Sequence, residues 1–259
     1  MIKFKKFLLL FLFASLVVSC TKDTPAGGSS NDGIDRSANL KLTGSSASDL
    51  LSDMDYTSMN IEIVYAEGFK PEDDAIKIFR DFLESRVYKP DGINILLRSV
   101  KSSGLSPFNN EDLKKVEKDT RTVYNAGDEI AVWIYFADGK KEDDQSNKPT
   151  LGTAFRNTSI ILYGETIKNY ANRNGAPAKA LIEAATLNHE FGHLFGLVNL
   201  GIEPVSDHED PNNEKHCVTD KCLMRASLDF GSGVINVIDG QGVPDLDDAC
   251  KQDLQSAGG

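Results

Sequence analysis

Residues 177–195 constrain this chain more than any other stretch. Ala180, Leu181, Ala184, Ala185 and Leu187 are spread over most sides of a helix, so the spacing predicts one that lies inside the fold. Its second half nevertheless reads His189-Glu190-Phe191-Gly192-His193. Histidines at i and i+4 share one helical face about a turn apart, and both imidazoles can reach a single ion while Glu190 projects beside them. An unpaired carboxylate inside an apolar helix would cost several kcal/mol, which argues against a merely structural role. Zinc suits this spacing, because three protein ligands leave a position open for water and lower that water's pKa to about 7. Glu190 is then the general base that takes the proton and returns it to a leaving amine.

The rest of the chain predicts what such a helix packs against. Residues 59–66, 93–100 and 129–137 alternate and are β-branched, as strands are, and residues 151–154 and 158–163 supply two shorter ones. Residues 71–88 place Ile76, Phe79, Phe82, Leu83 and Val87 on one helical stripe, and residues 110–124 read as a more polar helix. The order β-α-β-α-β-β-β-α indicates an α/β domain on a mixed sheet, with the motif helix central.

The first twenty residues read as a processing signal. Lys3, Lys5 and Lys6 precede an uncharged apolar run over residues 7–18, which as a helix rises about 18 Å and falls short of a ~30 Å hydrocarbon core. The run ends at Val17-Val18-Ser19-Cys20, which looks like a bacterial lipobox that would make Cys20 the lipidated first mature residue. The expected organisation is a signal peptide over residues 1–19, a flexible Gly/Ser/Asp/Asn-rich tether over residues 20–45 and one domain over residues 46–259. An exported lipoprotein held at a membrane, periplasmic or at the cell surface, follows from that reading. The formal net charge of −11 across 259 residues excludes nucleic acid as a partner, since phosphate affinity comes from clustered Lys and Arg.

Gly196 follows the motif, and glycine at a helix C′ position can adopt the left-handed conformation that turns the chain back. The string H-E-x-x-H-x-x-G resembles the metzincin clan of zinc endopeptidases, where a third histidine usually comes three residues beyond the glycine; here that place holds Asn199. Further on, the segment from His216-Cys217 through Cys222-Leu223-Met224 matches the H-C-x4-C-x-M string of archaemetzincins. The resemblance implies a zincin-like α+β fold, in which a mixed twisted sheet and active-site helix precede a mostly irregular C-terminal subdomain with a methionine turn. It implies His216 as the third zinc ligand, Met224 beneath the metal, and residues 197–215 as an insertion. His208, in Asp207-His208-Glu209-Asp210, is the alternative ligand, followed by Asp207. By the same resemblance Gly152, Thr153 and Ala154 edge the cleft and bind an extended peptide; a purely structural edge strand is the other reading.

Two departures from the resemblance matter. Many metzincins carry a tyrosine two residues after the methionine that can assist the oxyanion, and Ala226 stands there in this chain. Archaemetzincins also use four cysteines for a second zinc, whereas Cys217, Cys222 and Cys250 alone remain once Cys20 is lipidated, so one zinc per chain is expected. Three thiols in an exported protein suggest one disulfide among Cys217, Cys222 and Cys250, its pairing not set by spacing, and one cysteine left over; Cys222 with Cys250 would tie the turn near Met224 to the C-terminal segment, and Cys217 with Cys222 would close a small ring. The expected function is an extracytoplasmic zinc endopeptidase acting on peptides or proteins. The alternative is a zincin-fold surface lipoprotein that binds without turnover.

Overall fold

The computed structural model describes residues 34–144, 149–229, 238 and 242–259, so the stretch read as a signal peptide, Cys20 and the first part of the expected tether lie outside the described residues. After a short helix α1 (Ala47–Leu51), the alternating segments form β1 (Ser58–Ala66), β2 (Ile93–Val100) and β3 (Glu129–Ala137), followed by β4 (Gly152–Arg156) and β5 (Ser159–Tyr163). They make one sheet in the order β2-β1-β3-β5-β4. β1, β2, β3 and β5 are parallel, and β4 runs antiparallel along one edge. β3 and β5 are buried almost throughout, as parallel strands must be when both faces are covered.

Two apolar layers account for that coverage. Ile61, Ile63, Val132, Ile134 and Leu162 pack on one face with Phe79 and Phe82 of α2 (Asp73–Glu84) and with Leu187 and Phe191 of a later helix. On the other face Val64, Trp133, Tyr135 and Ile161 meet Leu113 and Val116 of α3 (Asn110–Thr120). Each such side chain contributes about 1.5–3 kcal/mol when fully buried. α3 starts where the sequence predicts because Asn109 and Asp112 form a reciprocal capping box.

The later helix is α5 (Lys179–Leu194), which carries His189, Glu190 and His193 and is buried at every residue from Ile182 to Leu194. It ends at Gly196, whose φ of +77° lets Gly196 N–H reach His193 O and Leu197 N–H reach Gly192 O. A Cβ at Gly196 would lie 3.0 Å from Ile202 N and 3.1 Å from Ala47 Cβ, so the turn also needs glycine for space.

Two features differ from the sequence expectations. A helix α4 (Gly164–Ala171) follows β5 directly; its buried face of Thr166, Ile167 and Tyr170 is too short for a recognisable period. The tether expected to run to residue 45 also ends earlier. Asn39 is fully buried and its side-chain amide donates to Asn125 Oδ1, Ala131 O and Thr158 Oγ1, while Asn125 N–H donates back to Asn39 Oδ1. Polar composition made residues 34–45 look like linker, yet one amide satisfying strand-end groups docks them on the domain.

The C-terminal part is mostly irregular. It holds a hairpin of β6 (Glu209–Asp210) and β7 (Asn213–Cys217), a short helix α6 (Ala226–Asp229) and a C-terminal helix (Asp248–Ser256) capped by Asp247. Among the described residues no helix is long and apolar enough to cross a membrane.

Candidate metal centre

α5 raises His189 and His193 one turn apart and brings their Nε2 atoms to 3.1 Å. β7 delivers His216 to the same point, with ring centroids 5.3 Å from His189 and 5.1 Å from His193. One nitrogen from each ring lies within 4.8 Å of the others. Two nitrogens on a tetrahedral zinc, each about 2.05 Å from it, are about 3.3 Å apart, so the His189–His193 pair is spaced to share one ion.

The backbone orients two of the rings. His189 Nδ1–H donates to Leu223 O at 2.7 Å, and His216 Nδ1 lies 2.9 Å from Glu214 O. A carbonyl can only accept, so each Nδ1 carries the proton and each Nε2 keeps its lone pair for a metal. His193 Nδ1 is buried with no hydrogen-bond partner among the described residues. Burial, helped by the His216 imidazole, holds His189 down to about 3, and burial and the other two imidazoles hold His193 well below the usual histidine range. His216 is also lowered by burial, so all three are neutral near pH 7, the form that ligates.

Glu190 is fixed from the sheet side. Ala154 N–H donates to Glu190 Oε2 at 2.8 Å, which ties the carboxylate to the edge strand β4. Gly152 permits that approach: a Cβ there would lie 2.7 Å from Thr186 Cγ2, 2.8 Å from Glu190 Cγ and 2.9 Å from Glu190 Oε1. Gly152, Thr153 and Ala154 thus line a cavity of about 230 Å³ together with Glu190, His193 and His216. Thr43, Lys141, Thr150, Leu200 and Lys215 complete that lining. Thr43 comes from the stretch read as tether. Lys215 adopts φ +66°, an uncommon conformation for a non-glycine residue.

Met224 is fully buried against Gly192, between the two α5 histidines, in the turn that also presents Leu223 O to His189. Asn199, at the place where a simple metzincin spacing has histidine, is exposed and donates to Glu209 Oε2 at 2.6 Å. Ala226 opens α6. Leu223 O and Glu214 O carried no sequence signal, since every residue has a carbonyl.

His208, the alternative third ligand, does not join His189 and His193. Its Nε2 meets Asp253 Oδ2 at 2.8 Å and its Nδ1 lies 3.8 Å from Cys250 Sγ. Asp207 is exposed. The expected disulfide is absent too: Cys217, Cys222 and Cys250 are free, buried thiols. Hydrogen bonds from Cys222 and Cys250 hold the Cys217 thiol well below the usual range, and its bond to Cys217 pushes Cys222 up to about 12.

No protein-family model and no curated protein matches the sequence. Among solved structures, the crystal structure of archaemetzincin from Methanopyrus kandleri is similar at a TM-score of 0.50 and 15% identity, over 78% of this chain and 96% of that one. This chain has the archaemetzincin fold. Metalloproteinase-II from Bacteroides fragilis is a more distant likeness, at a TM-score of 0.40 and 14% identity over 86% of this chain and 57% of that one.

Proposed function

We propose that this chain is a zinc-dependent endopeptidase, exported and held at a membrane through a lipid on Cys20. The observation that carries the reading is the convergence of His189, His193 and His216 on one point beside a clamped Glu190 carboxylate. Three neutral imidazoles with no acid or thiol among them suit zinc and leave a coordination position open. When bound there, zinc supplies Lewis acidity, polarising a carbonyl and acidifying a water molecule.

The chain's own residues do the rest. Glu190 accepts a proton from the attacking water and returns it to the departing amine, a role its fixed position beside the cavity favours. β4 is the sheet edge that lines the cavity, and an extended peptide added along it would bring a backbone carbonyl to the three histidines. Leu223 O and Glu214 O keep two of the rings in the ligating tautomer. The short apolar run ending at Val17-Val18-Ser19-Cys20 supports the lipid anchor and export.

Ala226, where a tyrosine could have stabilised developing negative charge, favours a second reading: a zincin-fold lipoprotein that binds peptides without turnover. One experiment separates the two. The whole chain and Glu190→Gln are loaded with zinc and assayed on a quenched-peptide library. Turnover that falls about 10²- to 10⁴-fold in the variant while zinc is retained supports the peptidase. Peptide binding without turnover in the unsubstituted chain favours the binding module.

A further inference from the structure

The cavity at the three histidines is walled by two lysines, in a chain whose formal net charge is −11. Lys141 stands in the loop after β3, and Lys215 lies in β7 next to His216. Among the described residues Glu190 is the one acid in the lining, and Ala154 N–H already holds its carboxylate. Neither ammonium has an ion-pair partner among the described residues. The acids close to them in sequence are turned to other uses. Glu142, Asp143 and Glu214 are exposed and do not line the cavity, and Asp144 Oδ1 accepts from Thr150 N–H at 2.8 Å. Glu209 spends its carboxylate on the backbone N–H of Lys215 at 2.5 Å and on the Asn199 amide.

The backbone sets both lysines in place. Phe108 N–H donates to Lys140 O and Glu142 N–H donates to Phe108 O, each at 2.9 Å, so the chain is pinned on either side of Lys141. Lys215 is placed by a departure from regular strand geometry. Successive strand residues point to opposite faces, so a regular β7 that aims His216 at the metal centre would turn Lys215 away from it. The φ of +66° at Lys215 breaks that alternation, and the two neighbours line the same cavity. Such a conformation is costly for a residue with a Cβ and persists only where the surroundings hold it, as the Glu209 bond does here. An arriving carboxylate meets two ammonium groups and one acid that is already bonded. A basic side chain meets two like charges, which works against it.

We propose that Lys141 and Lys215 determine specificity at this site, and that the peptides it takes place a carboxylate, from an acidic side chain or from the C-terminus, in the cavity beside the three histidines. The inference rests on the peptidase reading and adds the class of substrate to it. The cavity measures only about 230 Å³ and the histidines form part of its wall, so the carboxylate belongs to a residue close to the bond brought before them. Lysine is a point charge on a flexible stem, so Asp and Glu are accepted alike.

The test uses the whole chain, purified in detergent and loaded with zinc, carrying Glu190→Gln so that labelled peptides bind without being consumed. Fluorescence anisotropy gives the affinities, and zinc content is measured in every variant. One arm compares Asp or Glu with Asn or Gln in peptides amidated at the C-terminus; the other compares free and amidated C-termini in otherwise neutral peptides. A preference of about tenfold or more for the carboxylate in either arm is expected, and the arm that shows it names the source. With zinc retained, Lys141→Met, Lys215→Met should bring that ratio to about one, and Lys141→Arg, Lys215→Arg should keep it. The comparison is made within one background, so the charge lost with Glu190 cancels. If the methionine variant does not fold, salt decides: a ratio that falls several-fold between about 0.05 and 0.5 M salt supports the proposal, and a salt-independent ratio overturns it. Equal affinity for charged and neutral peptides in both arms, or a preference that survives loss of both lysines, overturns this inference alone. Binding of no peptide of any charge overturns the peptidase reading together with it.

Discussion

Gly192→Ala places a methyl group where Met224 now packs. The added Cβ would lie 2.3 Å from Met224 Sδ, 3.1 Å from its Cε and 3.6 Å from Leu197 Cδ1. Ordinary non-bonded contact is about 3.5–4.0 Å, so the thioether must retreat by roughly 1.2–1.7 Å in a part of the core where Met224, Leu197 and Leu223 are all fully buried. Overpacking of this kind costs about 1–3 kcal/mol. Alanine is favoured over glycine inside a helix by about 0.8–1.0 kcal/mol. The net expectation is a loss of up to about 2 kcal/mol, whereas the same substitution on a solvent-facing helix position would stabilise. The sign is therefore the test. Equilibrium urea unfolding of the unsubstituted chain, Gly192→Ala, Met224→Ala and the double variant measures it. Truncating Met224 alone should cost about 2–5 kcal/mol by leaving a cavity, and the double variant should cost about 0.5–3 kcal/mol less than the two single changes added together. Zinc affinity should fall in Gly192→Ala as well, because the displaced turn carries the Leu223 carbonyl that holds His189 Nδ1 at 2.7 Å. A variant at least as stable as the parent, or strictly additive costs, would refute the close packing of Met224 on α5.

Gly152→Ala should lower peptide turnover more than it lowers zinc content, since its Cβ would press on Glu190 and Thr186 while leaving the histidines untouched; parallel zinc analysis and steady-state kinetics check this, and equal losses of both would count against it. Asn39→Ala should destabilise the domain by about 1–3 kcal/mol by stranding the groups its amide satisfies, read as a shift in the urea midpoint, and an unchanged midpoint would mean that residues 34–45 are dispensable. Cys20→Ala should abolish labelling by a fatty-acid probe and release the protein from the membrane fraction, and persistent labelling would move the anchor elsewhere. Zinc at about a hundred times its Kd should raise the unfolding free energy by about 2.7 kcal/mol per independently bound ion, and an unfolding midpoint indifferent to chelation would argue against any zinc bound by the folded state alone.

Local spacing alone determined the features closest to the proposed chemistry. Two histidines at i and i+4 must share a helical face, a strongly apolar helix must be buried, and a glycine just past its end can turn the chain through φ +77°. These are properties of a single helix and its terminus, so they survive without knowledge of what packs around them. The strands of the sheet were legible for the same reason, since alternation over a few β-branched residues is a local pattern. Only the tertiary structure decided which of His208 and His216 approaches α5, that the stretch read as tether docks through Asn39, that Gly152 lets β4 reach Glu190, and that His208 lies beside Asp253, Cys217 and Cys250 instead. Each of these depends on where a loop ends after crossing the molecule, which is set by the packing of the hairpin, the methionine turn and the C-terminal helix against one another. Residue types and spacing within any one of those segments carry no record of that distance.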